Sequence, residues 1–482
     1  MKNIVFVASE CVPFVKTGGL ADVMGALPKN LNPKEYDVRV ILPNYTCIPW
    51  EFRGKFRYVH HFYMDLGNQQ KKEHVGIMTC EQDGITYYLI DNEFYFSGWK
   101  PYGSIRFDIE KFTFFSKAAL AILPVIGFHP DIIHCHDWQT ALVPVFLRTL
   151  YHDNSFFWKT KVVLTIHNLK FQGIWDVKTF RDLTGFPDEV FTSSKMEYHR
   201  DANMLKAGIV YCDYLTTVSH TYAQEIQTPY FGEGLDGVIR SYQDKLRGIV
   251  NGIDYDVYNP STDPAIFARY SLDNVVSEKR KNKQGLQKLL GLPQDDNKMM
   301  IAIISRLTDQ KGLDLIDWVM NGLVDRNIQL VIVGTGDTNY ENMFKRYQSL
   351  HPDRISVNLQ YSEDLAHKTY AAADAILMPS RFEPCGLTQL IALRYGSVPI
   401  VRETGGLKDT VQSYNEFEGT GTGFSFTNYN ADDMLYVINY AKHIYYDYPE
   451  KWNEIVKRGM QADFSWKKLA GEYDTLYREL IG

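Results

Sequence analysis

Two stretches carry the residue types from which an anion site could be built. Residues 301–313 read Ile-Ala-Ile-Ile-Ser-Arg-Leu-Thr-Asp-Gln-Lys-Gly-Leu, an apolar run of strand length, a loop with Arg306 and Lys311, then a helix start. Residues 378–390 read Met-Pro-Ser-Arg-Phe-Glu-Pro-Cys-Gly-Leu-Thr-Gln-Leu. There Pro384 suits the first turn of a helix, whose opening N–H groups have no partner inside it. A helix start favours a nearby negative charge by about 0.3–1 kcal/mol, and up to about 2 when partly buried. Two cations converging on such a turn would hold a diphosphate, so the expectation is a sugar-nucleotide site. Cys385, Gly386, Leu387 and Thr388 would present successive N–H groups to a phosphate, leaving Glu383 to bond sugar hydroxyls. Glu383 is equally compatible with a first-turn helix acid, and Arg306 and Lys311 with solvated loop charges. Cys385 is disfavoured as a nucleophile, since no His lies near it in sequence.

The amino-terminal half offers a second set of residues. Lys16, Gly18 and Gly19 follow a strand-like run, and glycines let backbone N–H groups approach a phosphate or hexose closely while Lys16 supplies charge. Without a G-x-G-x-x-G pattern, a tight strand-to-helix turn with a solvated lysine is the competing reading. Asp22 stands where a first-turn acid is favoured by the helix dipole. In His134-Cys135-His136-Asp137-Trp138, strand alternation puts both histidines on one side and the cysteine on the other. No distant cluster completes a zinc site, so the reading is a polar strand terminus lining a cleft, with Asp137 a candidate carboxylate near a reacting sugar. His167 also ends a strand and is either a structural histidine or a sugar contact.

These residues need a scaffold that brings strand ends together. Short Val/Ile-rich runs at 3–8, 37–42, 87–90, 131–135, 162–166, 214–218 and 248–250 alternate with helical stretches at 109–126 and 139–151. That is the pattern of a parallel sheet covered on both faces. The aromatic and Gly-rich segment 94–107 interrupts it and reads as a loop over the open face. Turn residues cluster from Asn251-Gly252-Ile253-Asp254 to Asn259-Pro260, a domain boundary. Beyond it, strands at 299–304, 330–333, 355–359, 375–378 and 398–401 alternate with helices at 313–326, 340–350 and 387–395. The class is α/β, with two doubly wound Rossmann-like domains. Thr17-Gly18-Gly19-Leu20-Ala21-Asp22 echoes Thr404-Gly405-Gly406-Leu407-Lys408-Asp409, as two like-built units would. In such sheets ligands bind outside the carboxyl ends of the strands.

Bulk properties narrow the chemistry. A chain of 482 residues exceeds what one core usually serves. With 51 Lys and Arg against 58 Asp and Glu, the net charge of -7 leaves no footprint for nucleic acid or an anionic membrane. Six singly scattered cysteines fit neither a disulfide framework nor a zinc pair, and the expectation is a cytoplasmic protein with reduced thiols. The apolar start stops at Glu10 without a cleavage pattern, and no run of about 18 apolar residues occurs anywhere.

The motifs Lys16-Thr17-Gly18-Gly19-Leu20-Ala21-Asp22-Val23, His136-Asp137-Trp138, His167-Asn168-Leu169, Asn251-Gly252-Ile253-Asp254, Ser305-Arg306-Leu307 with Gln310-Lys311-Gly312, and 379–388 occur in that order. Together with Phe464-Ser465-Trp466 they resemble bacterial glycogen synthases and plant starch synthases. The resemblance implies a GT-B glycosyltransferase: domains 1–253 (glucan acceptor side) and 254–463 (donor side) facing each other across a cleft, with 464–482 crossing back to the first. It implies retaining transfer of glucose from ADP-glucose, or alternatively UDP-glucose, to the nonreducing 4-hydroxyl of an α-1,4-glucan such as glycogen or maltooligosaccharides. By the same resemblance Lys16, Gly18, Gly19 and Asp22 fall at the donor and Arg306 and Lys311 at its phosphates. Asp137 and His167 fall at the glucose, Glu383 at the sugar hydroxyls, Cys385 to Thr388 at the diphosphate, and Asn251 and Tyr361 around the nucleotide. A second Glu found in the wider superfamily is replaced by Ile391, leaving the ribose contact unassigned. No metal and no cofactor are expected, because fixed cations and amides would do a magnesium ion's work. Competing readings are a phosphorylase, a glycosidase and a glucan-binding protein with a vestigial site.

Overall fold

A computed structural model of the chain describes residues 1–67, 72–360 and 362–482. It divides into two compact units, Met1–Ile249 with Leu469–Gly482, and Val250–Lys468. The first is organised on a nine-stranded sheet. Its central strand, Lys2–Val7, pairs in parallel with Tyr36–Pro43 on one side and Ile132–His136 on the other. Beyond Ile132–His136 follow Lys161–Ile166, Tyr214–Thr217 and Leu246–Gly248, all parallel. On the other flank Ile85–Asp91 pairs in parallel with Tyr36–Pro43. Lys72–Gln82 and Arg57–Asp65 then extend the sheet antiparallel. Because the chain leaves Lys2–Val7 in one direction and later returns to its other side, the loops after Lys2–Val7 and Ile132–His136 part company at their carboxyl ends. An open α/β sheet leaves room for a ligand at such a point.

The second unit repeats the plan with six parallel strands in the order Ile355–Asn358, Ile328–Val333, Met299–Ile304, Ala375–Met378, Val398–Arg402, Phe424–Phe426. Its switch point lies between Met299–Ile304 and Ala375–Met378, so residues 305–311 and 379–388 diverge there. Near-continuous burial of Met299, Met300, Ile301, Ala302 and Ile303 marks a strand covered on both faces. The ammonium of buried Lys279 ties this unit together, donating to the carbonyls of Tyr370, Ala371 and Tyr395 and to the Ser397 hydroxyl. It thereby satisfies acceptors at the ends of Glu363–Ala372 and Thr388–Arg394.

Several expectations are corrected. The first unit ends at Ile249 rather than 253. Residues Gly252 and Ile253 are held within the second unit by Phe464, whose carbonyl accepts from the Ile253 N–H at 2.9 Å. Likewise the return falls after Lys468 rather than 463, although the final helix starts at Trp466. That helix lies on the first unit, where the Tyr36 hydroxyl donates to Asp474, Tyr477 bonds His134, and Arg247 pairs with Glu479. The strand expected at 248–250 is Leu246–Gly248. Segment 94–107 is not one open loop. Glu93–Phe96 is helical, with Tyr95 and Phe96 buried against Phe114, and a 21-residue helix begins at Ile105. The helix expected at 139–151 is a 3₁₀ turn, Trp138–Thr140, followed by Leu142–Arg148. Among the described residues no helix is long and apolar enough to cross a membrane.

Candidate active site

In the first unit the loop after Lys2–Val7 is clasped by Glu10, which is 4% exposed. Its carboxylate accepts from the Thr17 N–H and, at 2.9 Å, the Thr17 hydroxyl. The Tyr102 hydroxyl donates to the same carboxylate at 2.8 Å. Thr17 is thereby fixed one residue before Gly18, the N-cap of Gly19–Asn30. A Cβ built on Gly18 meets no atom of the described residues within 4 Å, and its φ of -159° suits any residue. Neither packing against the described residues nor backbone conformation demands a glycine there, so the position is open to close approach. Lys16 reaches Asp22 at 2.9 Å. Asp22 is thus both the first-turn acid and the counter-ion of Lys16.

Asp137 sits at the carboxyl end of Ile132–His136 with φ +57°, a conformation that costs a non-glycine residue about 1–3 kcal/mol and persists where the surroundings over-determine it. One carboxylate oxygen, Oδ1, accepts from the backbone N–H of His167 at 2.7 Å and of Asn168 at 3.3 Å, joining the ends of two neighbouring strands. Burial pushes its carboxyl up to about 7, against the pull of those two bonds. The Nε2 of His167 lies 2.9 Å from the Nδ1 of His136. His134 and His136 do share one face, their ring centroids 4.3 Å apart. His134 is spent on protein contacts, with Tyr477 at Nδ1 and Thr165 at Nε2. Burial holds His134 and His167 down to about 3, so both are neutral imidazoles near neutral pH.

The second unit assembles its set from loops 305–311 and 379–388. Gly312, φ +68°, lets the Asp309–Lys311 turn press on Pro379, whose carbonyl oxygen a Cβ would approach to 1.9 Å. The two loops are stapled where the Arg381 N–H donates to the Gln310 carbonyl at 2.9 Å. Lys311 then meets Glu383 at 2.6 Å, and the Ser380 hydroxyl donates to the same carboxylate oxygen at 2.9 Å. Glu383 is 6% exposed, so this is a largely desolvated ion pair. Arg306 is exposed, and its guanidinium meets no hydrogen-bond or ion-pair partner among the described residues. Of the three cations expected at the donor, Lys16 and Lys311 are matched by carboxylates and Arg306 is not.

Pro384 does not open a helix. Thr388–Arg394 starts four residues later, because Gly386, φ +75°, breaks helical geometry in between. The N–H groups of Gly386, Leu387 and Thr388 find no protein acceptor among the described residues, the property a phosphate cradle needs. Gly405 and Gly406 support this turn from behind: the Gly406 N–H donates to the carbonyls of Glu383 and Pro384 at 3.1 Å, and a Cβ on Gly405 would lie 1.9 Å from the Glu383 carbonyl oxygen. Cys385 is buried and its thiol is pushed up to about 12 by burial, so it is no nucleophile at neutral pH. Asn251 is buried with its Oδ1 unmatched by any described protein donor. Ile391 is buried in the core of the second unit. Tyr361 lies outside the described residues.

Residues 3–241 match the family model described as starch synthase catalytic domain, and residues 291–459 the model described as glycosyl transferases group 1. A glycogen synthase of Lachnospira eligens is 59% identical, with 100% of both chains covered. The chain belongs to the glycogen synthase family. Glycogen synthases of Lachnoclostridium phytofermentans, 57% identical over 100% of both chains, and Bacillus cereus strain Q1, 49% identical over 99% of this chain and 100% of that one, agree. The catalytic domain of starch synthase IV from Arabidopsis thaliana, solved with ADP and acarbose, superimposes with a TM-score of 0.91 at 32% identity, covering 100% of this chain and 99% of that one. The fold is therefore GT-B, and the protein is a hexosyltransferase. Sucrose-phosphate synthase from Thermosynechococcus elongatus, at a TM-score of 0.62 and 17% identity over 100% and 99%, shares the fold.

For a glycogen synthase the state of Asp137 has a measurable consequence. Its native pKa, about 7, stands above the ordinary 3.8, so between those values the folded chain binds more protons than the unfolded one, and stability declines as pH rises from about 4 to about 7. The carboxylate that accepts both N–H bonds forms only toward the upper end of that range. Turnover is therefore expected to fall on the acid side with an apparent pKa near 7, and Asp137→Asn is expected to lose that limb. A kcat profile from about pH 5 to 9 checks this; an unchanged acid limb in Asp137→Asn assigns it to another group.

Proposed function

We propose that this glycogen synthase family member transfers glucose from ADP-glucose to the nonreducing 4-hydroxyl of an α-1,4-glucan with retention, needing no metal. The reading rests above all on full-length identity of 59% to a glycogen synthase. It is supported by the ADP and acarbose bound to the starch synthase IV domain, a nucleoside diphosphate and a glucan-like oligosaccharide. As the C1–O bond to the diphosphate breaks, its electron pair goes to the phosphate oxygen and the glucose becomes oxocarbenium-like. Preorganised donors aimed at that growing charge are the efficient remedy, and Arg306, Lys311 and the N–H groups of 386–388 supply them. Asp137 and His167 act on the glucose, and Lys16 and the Gly18–Gly19 turn on the donor. The acceptor 4-hydroxyl bonds to C1 and passes its proton to the departing phosphate, a front-face route needing no protein nucleophile. Glu383, held by Lys311 and Ser380, orients sugar hydroxyls.

Side-by-side turnover on glycogen with ADP-glucose and UDP-glucose tests the donor. Higher kcat/KM with ADP-glucose is expected. Preference for UDP-glucose reverses the nucleotide assignment, and glucose release without any nucleotide rejects the transferase reading.

A further inference from the structure

We infer that His136 is a positioning residue that fixes the tautomer of His167: its Nδ1–H donates to His167 Nε2, leaving the His167 proton on Nδ1, where it can donate a hydrogen bond to a substrate oxygen. The inference rests on the placement of His167 at the glucose. It begins with the 2.9 Å separation between His136 Nδ1 and His167 Nε2. Two neutral imidazoles at that distance share one proton, and which ring donates is decided by what the other nitrogens meet.

The two arrangements are unequal. His136 is wholly buried, and its Nε2 has no hydrogen-bond partner among the described residues. If His167 donated, the His136 proton would sit on Nε2 as a buried N–H without an acceptor, the kind of orphan that folded proteins avoid most strictly. If His136 donates, only a ring lone pair is left there. The ring cannot swing to escape the choice. It stacks on His134 at 4.3 Å and on Phe6 at 5.9 Å, while the Thr140 hydroxyl accepts from the His136 N–H at 2.7 Å and donates to its carbonyl at 2.9 Å. On the far side of His167, Nδ1 makes no hydrogen bond to any described residue, so the proton placed there is available. Burial keeps His136 and His167 neutral, which makes the tautomer, and not the charge, the controlled property. His134 shows the contrast, with both ring nitrogens engaged by protein groups.

The test reads the tautomer directly in 15N-histidine-labelled full-length protein at neutral pH, with the His167 signals identified by their loss in His167→Asn. The expected result is a protonated Nδ1 on His167. In His136→Phe, which has no donor, the Nε2-protonated form should appear and kcat fall about tenfold, the size of one lost hydrogen bond, with glucan KM unchanged. His136→Asn offers an amide N–H near the position of Nδ1–H and should recover kcat to within about threefold. A proton on His167 Nε2 in the wild type overturns the inference, as does wild-type kcat in His136→Phe. The wild-type spectrum needs no variant to fold. Normal turnover in His167→Asn would instead remove His167 from the glucose, a failure of the functional reading that the spectrum does not share.

Discussion

Arg306→Ala is expected to lower kcat by about two to three powers of ten while leaving thermal unfolding unchanged. The magnitude is that of one removed oxyanion donor in a preorganised site, roughly 2.7–4 kcal/mol. The unchanged stability follows from structure. Arg306 is exposed and holds no side-chain partner among the described residues, and substitutions at such positions usually stay within about 0.5 kcal/mol. Lys311 is a less clean probe of the same chemistry. Removing it would leave Glu383 buried beside Ser380 without its counter-charge, and breaking one side of a buried pair costs about 3–5 kcal/mol. Steady-state kinetics beside a thermal melt decides the matter: near-normal turnover in a well-folded Arg306→Ala would take this guanidinium away from the diphosphate.

Glu383 carries the second large effect. Both Glu383→Ala and Glu383→Gln should lose at least two powers of ten in transfer, because neither retains the carboxylate that Lys311 and Ser380 aim, while glucan retention in an affinity gel stays close to wild type. The glutamine variant keeps a carbonyl that can accept from Lys311 and Ser380 where alanine cannot, and a thermal melt beside the assay reads any stability lost with the ion pair. Parallel loss of transfer and glucan binding in both variants would make Glu383 a structural partner of Lys311 only.

The sequence discloses the parts that depend on local pattern. Met299–Ile304 and Ala375–Met378 match their expected bounds, because strands buried on both faces read as continuous apolar runs. Arg57–Asp65 escapes for the converse reason. It is an edge strand whose Arg57 to His61 are all exposed, so no buried face imprints an alternation. The strands Ile174–Asp176, Glu197–Tyr198 and Asp201–Asn203 are too short to show a period. Site residues follow the same division. The Gly18–Gly19 turn and the 379–388 segment are visible as motifs, yet that Pro384 lies outside the helix depends on the left-handed Gly386. Glu10 is visible in the sequence only as the end of an apolar run, and its bond from Tyr102 joins positions 92 apart in the chain. Pairing of Lys16 with Asp22 was within reach, since the helix start after Gly18 puts Asp22 in the first turn. The partnership of Lys311 with Glu383, 72 positions apart, required the fold.

On the proposed function, fixed groups of the second unit, not a metal, neutralise the nucleotide's diphosphate. Calorimetric titration of ADP into the wild type and Arg306→Ala, each in excess chelator, tests it most directly. Tight binding to the wild type without metal, weakened at least tenfold in the variant, is the predicted result. Binding that requires a divalent cation, or that is equal in the two proteins, would contradict it.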